Sequence, residues 1–190
     1  MSKSLYLVRH AEATGQDPDA RLTKQGEADA LSLVHFFENK KISSIISSPY
    51  ERAVKTIAPS AKKLNLPIKT DERLKERVLT TEKLMDWESP LKESFLYKDS
   101  KLLGGETSNE ATQRILAVCN EVSSTTENTV LVTHGNLLAL LLNHYNPAFG
   151  FSEWKKLRNP DIFRIDLNTS IFSRENVFKL EISDTDNHFN

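Results

Sequence analysis

Arg9 and His10 follow directly on the apolar run Leu5-Tyr6-Leu7-Val8. Such a run reads as a short buried strand, and the pair falls where that strand gives way to a loop. In open α/β sheets, ligands bind just beyond the carboxyl ends of strands. An imidazole there can be a nucleophile, and a guanidinium beside it can hold phosphate oxygens bidentately. The same pattern returns at Val130-Leu131-Val132-Thr133-His134-Gly135-Asn136, where an apolar strand ends in a histidine and a glycine permits a tight turn. Arg52 falls in the first turn of a helix expected to start at Ser48-Pro49, beside free backbone N–H groups and the positive end of the helix dipole. Taken singly, each of these residues is also an ordinary solvent-facing side chain. If the three strand ends neighbour one another, one pocket holds two imidazoles and two guanidiniums, an inventory for phosphate binding and phosphoryl transfer. It is not a metal inventory. There is no HExxH and no CxxC, and neither histidine has a partner ligand at helical spacing.

The elements that must position these residues alternate between strand and helix. Thr23 is a candidate N-cap for a helix over Lys24–Asn39, with Ala28, Leu31, Leu33, Val34 and Phe37 largely on one side. Ile42–Ile46 is rich in β-branched residues and reads as a second strand. Ser48 as N-cap and Pro49 at the first helical position open the next helix, which runs to about Leu64 and which Pro59 should kink or divide. Pro67–Thr70 is a short strand candidate. From Val78 to Gly105 there is little periodicity. Trp87, Phe95 and Tyr97 in that stretch either line a pocket or anchor an excursion to the core, and the stretch reads equally as a lid or as an exposed insertion. Thr107 with Glu110 three residues on is a capping box, and Ile115, Val118, Cys119 and Val122 carry helical spacing behind it. Leu137–Leu142 is apolar nearly all round and should be deeply buried. Asp161–Leu167 alternates Ile162, Arg164 and Asp166 against Phe163, Ile165 and Leu167, the pattern of a half-buried strand. Val177–Ile182 is a further strand candidate, and Asp184–Asn190 is expected to fray.

The bulk numbers bound the reading. A chain of 190 residues, 38% hydrophobic and 27% charged, fits a single globular domain over 1–190 with a short cap insertion at about 78–105. Lys and Arg number 25 against 26 Asp and Glu, a net charge of -1, which gives no reason to expect nucleic-acid or membrane-surface partners. The single cysteine, Cys119, falls on a helical apolar face and reads as a core thiol. With neither a signal-peptide pattern nor a membrane-spanning run, a cytoplasmic protein is expected.

The segments LVRHAEAT, SSPYERAVKTI, LKER, GGET and VLVTHG, in this order, resemble the histidine phosphatase superfamily, the phosphoglycerate-mutase-like group. The resemblance runs from Leu5 to about Leu142, and NPDIFRIDL resembles the family's late strand. It implies an α/β fold, a three-layer sandwich whose mostly parallel central sheet is flanked by helices. It also implies phosphoryl transfer through a phosphohistidine, without metal or other cofactor. Carried onto this chain, His10 is the nucleophile, Arg9, Arg52 and His134 hold the phosphoryl oxygens, and Glu76 is the proton donor. Glu76 also reads as a surface carboxylate in the charged run Asp71–Arg77, with Glu12 and Glu106 as other acids in reach of such a role. Two positions depart from the family pattern. Ala11 stands where relatives have Gly, which restricts φ in the loop. Gln16 stands where they often carry a substrate-binding Asn. The activity implied is a phosphatase acting on a small phosphorylated metabolite. A phosphoglycerate-type mutase and a phosphate-binding module without turnover are the alternatives.

Overall fold

The computed structural model describes residues 3–123 and 127–177. Their elements follow the order β1 (Ser4–Arg9), α1 (Lys24–Phe37), β2 (Ile42–Ser47), α2 (Glu51–Leu64), β3 (Ile68–Thr70), α3 (Glu88–Leu96), α4 (Ser108–Ser123), β4 (Asn128–Thr133), α5 (Gly135–Tyr145), α6 (Phe151–Trp154), β5 (Asp161–Asp166) and β6 (Ile171–Arg174). One turn of 3-10 helix, Glu72–Leu74, follows β3. The strands form one sheet in the order β3-β2-β4-β1-β5-β6. β3, β2, β4 and β1 are mutually parallel, whereas β5 is antiparallel to both β1 and β6. The architecture is therefore α/β with a mixed sheet, and the antiparallel strand refines the expectation of a mostly parallel one.

Alternation along β1 makes the layers. Leu5 and Leu7 point into a core shared with Ile115, Val118 and Cys119 of α4 and with the leucines of α5. Tyr6 and Val8 point into the opposite core, with Leu33 and Phe37 of α1 and Ala53, Ile57 and Ala61 of α2. Leu137–Leu142 is fully enclosed, each residue 0–1% exposed. Burying a leucine side chain contributes about 1.5–3 kcal/mol, so this helix anchors β4 and the residues at its end.

Several expectations are corrected. α2 is capped by Tyr50, not Ser48, and no side chain caps it. Ser48 is committed elsewhere, to His134. Pro59 does not divide α2, which is continuous from Glu51 to Leu64. Ile162 is buried in the α1/α2 core while Phe163 and Ile165 are buried in the other, so β5 is covered on both faces over its first half. Residues 78–105 contain the helix α3, whose weak amphipathic pattern hid it. Of the strand candidate Val177–Ile182, Val177 lies in a turn and the rest, with Asp184–Asn190, lies outside the described residues; the observed partner of β5 is β6. Thr107 and Glu110 do form the reciprocal cap, Glu110 N to Thr107 Oγ1 at 3.0 Å and Thr107 N to Glu110 Oε2 at 2.8 Å. Cys119 is buried, and that burial pushes its thiol up to about 12. Among the described residues no helix is long and apolar enough to cross a membrane.

Candidate active site

The four parallel strands deliver Arg9, Ser47, Thr70 and Thr133 to one edge of the sheet. β1 and β4 are neighbours in register, Arg9 opposite Thr133, and His10 N donates to Thr133 O at 3.1 Å. His10 and His134 are thus forced together. Their rings lie 5.0 Å apart at 61°, and their residues are 6% and 0% exposed. Ser48 N donates to Val132 O, which brings the start of α2 alongside. Arg52, 1% exposed, then reaches His10.

The hydrogen bonds fix the state of His10. Its Nδ1 is 2.7 Å from the carbonyl of Ala11. A carbonyl can only accept, so Nδ1 carries the hydrogen and Nε2 carries a lone pair. Arg52 Nε donates to that Nε2 at 3.2 Å. Burial, and then the charges of Arg52 and Arg9, lower the His10 pKa to about 3 despite the Ala11 bond. At neutral pH the imidazole is uncharged. His134 is held well below its usual range, first by burial and then by the neighbouring His10 and arginines. Its Nε2 is 2.8 Å from Ser48 Oγ, and its Nδ1 is buried without a partner.

The guanidiniums are tethered by backbone. Arg52 Nη1 donates to the carbonyls of Gln16 (3.1 Å) and Asp17 (2.8 Å). Arg9 Nη1 donates to Leu157 O at 3.0 Å, and its Nε is buried and unpartnered. Gly135 matters here: a Cβ on it would lie 3.0 Å from Arg9 Nε and 3.1 Å from Cζ, so glycine lets the guanidinium lie against the start of α5. Ala11 causes no strain. It is fully buried, and among the described residues the non-glycine positions with positive φ are Lys41, Asn65 and Ser170.

Glu76 is not a free surface carboxylate. Its Oε1 accepts from Leu137 N (3.0 Å) and Arg77 N (2.8 Å), and its Oε2 from Asn136 N (3.0 Å). The first N–H groups of α5 have no intrahelical acceptor, and a carboxylate is a favourable partner for them. Glu106 is held by Arg114 through bonds of 2.6 and 2.9 Å, and Glu12 accepts from Thr23 Oγ1 at 2.7 Å. A cleft of about 870 Å³ opens over the site, lined by Arg9, Gln16, Arg52, Glu76, Gly135 and Asn136 among others. Glu12 and Glu106 are not among its lining residues, and neither are the buried His10 and His134. Gln16 meets the site through its carbonyl as well as along the cleft wall.

Four supporting residues escape a sequence reading. Ser48 holds His134. Thr56 Oγ1 accepts from Ala11 N at 2.9 Å and donates to Arg52 O at 2.7 Å, tying both halves together. Asn159 Nδ2 donates to His10 O at 2.8 Å. Asn136 lines the cleft with both side-chain polar atoms unpartnered and buried. Asn136, adjoining His134-Gly135, gave a signal by position; the other three are polar residues whose partners are distant in sequence.

A family profile, the histidine phosphatase superfamily (branch 1), matches residues 5–170. The chain belongs to the histidine phosphatase superfamily. "Probable phosphoglycerate mutase GpmB" of Salmonella paratyphi A is 30% identical to it over 87% of this chain and 86% of that protein. Two solved histidine phosphatase folds align closely. The mycobacterial glucosyl-3-phosphoglycerate phosphatase has a TM-score of 0.69 at 19% identity, covering 92% of this chain and 98% of the other. YhfR of Bacillus stearothermophilus has a TM-score of 0.70 at 22% identity, covering 91% and 95%. At those identities the likeness speaks for the fold. Within this histidine phosphatase fold, Arg9, His10, Arg52 and His134 lie together at the ends of the parallel strands, and Glu76 reaches the start of α5 beside them.

Proposed function

We propose that this histidine phosphatase superfamily member hydrolyses a small phosphomonoester through a phosphohistidine on His10. The observation that carries the reading is the tautomer of His10, with Nδ1–H spent on Ala11 and a lone pair on Nε2. An uncharged nitrogen can attack phosphorus in line, and fixed donors and cations stabilise the charge spread over the equatorial oxygens. Without substrate, the Arg52 Nε–H occupies that lone pair. A bound phosphoryl group takes over this N–H and frees Nε2. Arg9 Nε and His134 Nδ1, both unpartnered, are the further donors. For His134 this follows when Ser48 gives its hydroxyl hydrogen to Nε2, which leaves the ring hydrogen on Nδ1.

In the first step the Nε2–P bond forms and the P–O bond to the alcohol breaks. The leaving oxygen takes a proton from the protonated form of Glu76 on the cleft wall, and the three backbone N–H groups on its oxygens stabilise the carboxylate that remains. In the second step Glu76 carboxylate accepts a proton from water as that water attacks phosphorus. The P–N bond breaks, returning neutral His10 and inorganic phosphate. The positive charge that stabilises the transferring phosphoryl group comes from the two guanidiniums.

The 30% identity to a protein named as a probable phosphoglycerate mutase favours a second reading, transfer of the phosphoryl group back to a bound product. An assay for 2,3-bisphosphoglycerate-dependent interconversion of phosphoglycerates separates the two. Hydrolysis predicts phosphate release without such interconversion, and interconversion outpacing phosphate release would overturn it.

A further inference from the structure

Away from the phosphate end, the cleft changes character. Its far walls are Val78, Leu79, Leu84, Trp87, Leu91 and Trp154. Two charged side chains accompany them. Arg77 has Nε on Glu106 O (2.9 Å) and Nη1 on Ser94 Oγ (2.8 Å), which fasten it to the insertion. Glu82 is an acid and disfavours an anion at the rim.

Trp87 is 52% exposed at the edge of this cleft. Its ring is packed on one side. Its ring meets Trp154 edge-on at 6.0 Å and 80°; Trp154 stacks on Phe151 at 5.4 Å and 26°; and Phe151 meets the buried Phe95 at 6.4 Å. Four aromatic rings thus run from core to rim. The series ends in an uncovered indole beside leucines. Lys155 pairs with Glu88 immediately outside, and a second cleft of about 440 Å³ shares Arg9, Trp87 and Trp154. A half-exposed aromatic packed on one side beside apolar walls is a surface that an apolar ligand group covers.

We propose that the alcohol part of the substrate is uncharged and apolar, aromatic for preference, and that Trp87 with Trp154 is its specificity wall. A phosphomonoester bound by Arg9 and Arg52 at the floor extends its other end along the insertion, between these rings and Leu84. A substrate carrying a carboxylate at that end meets Glu82, and the Arg77 guanidinium on the same wall is turned onto Ser94 and the Glu106 carbonyl. The inference rests on the hydrolase reading and narrows it to a substrate class.

The test compares kcat/KM for 2-phenylethyl phosphate, ethyl phosphate and 3-phosphoglycerate. All three release a primary alcohol, which limits differences in leaving-group chemistry. The phenylethyl ester is expected to exceed both others by about tenfold or more, the scale of burying one ring. Trp87→Ala should lower the phenylethyl-to-ethyl ratio by about tenfold, and Trp87→Phe should restore most of it. Trp87 is half-exposed, so folding of the variant is not the obstacle. A ratio unchanged in Trp87→Ala, or a preference for 3-phosphoglycerate, would overturn the substrate class and leave the hydrolase reading standing. Absence of both turnover and a phosphoenzyme with all three esters would overturn the hydrolase reading, and the substrate class with it.

Discussion

The phosphate end and the cap end of one cleft are built in opposite ways. At the phosphate end each reactive group is held by a partner distant in sequence: His10 by Arg52 and Asn159, His134 by Ser48, Glu76 by the first N–H groups of α5. The groups lie at the ends of paired strands, and sheet register sets their spacing. At the cap end, irregular chain carries one short helix tied down by polar bonds such as Arg77 to Ser94, while the wall it presents to the cleft is largely apolar. Polar geometry tolerates little displacement, because a misplaced donor loses its acceptor. Apolar walls tolerate exchange, because area and volume count for more than direction. The first end defines the reaction, and the second is free to define the substrate.

Substitutions should expose this asymmetry. His10→Ala removes the nucleophile, and turnover is expected to fall by about 10⁵-fold or more, as for nucleophiles acting within a catalytic unit; steady-state phosphate release measures it. Arg52→Ala removes a preorganised donor and should cost about 10²–10³ in kcat. Lys cannot reproduce the combined reach to His10 and to two carbonyls, so Arg52→Lys should recover little of that loss. Gly135→Ala presses a Cβ against a tethered guanidinium, and kcat should fall by about tenfold with the fold intact by circular dichroism. At the cap end, by contrast, Trp87→Ala is read out in substrate preference. A tenfold change in that preference from Gly135→Ala would blur the division between the two ends.

The phosphate end also carries a stability signature. Unfolded His10 takes up a proton near pH 6.5, whereas the folded residue does so only near 3. Stability is therefore full above pH 6.5 and is lost as pH falls from there towards 3, by on the order of a few kcal/mol from this residue. His134 acts in the same direction. His10→Gln should make the fall in urea midpoint between pH 7 and 4 shallower than in wild type. An equal slope in the two proteins would contradict the depressed titration.

What was legible in the sequence follows the same line. Arg9, His10, Arg52 and His134 stand at the ends of strong apolar runs or at a helix start, and strand pairing alone brings them together. Glu76 is ambiguous in sequence because its charged neighbours suggest solvent, and the first helix N–H that receives it, Asn136, lies 60 residues later. Ser48 has the local pattern of a cap because Ser-Pro is a common helix start, and nothing local reveals a histidine 86 positions away that claims its hydroxyl. Residues 78–105 were opaque for another reason. Their aromatics divide: Phe95 is buried in the core, Trp87 stands on the cleft, and Tyr97 is 66% exposed. Spacing along the chain does not separate those fates when the partners lie on α6.

The most direct measurement is acid-stability analysis of the rapidly quenched enzyme after reaction with a phosphate-labelled ester, in wild type and in His10→Ala. The account predicts a covalent label that survives base, is released by acid and is absent from the variant. A label that survives acid, or one retained by His10→Ala, would contradict the assignment of His10 Nε2 as the nucleophile.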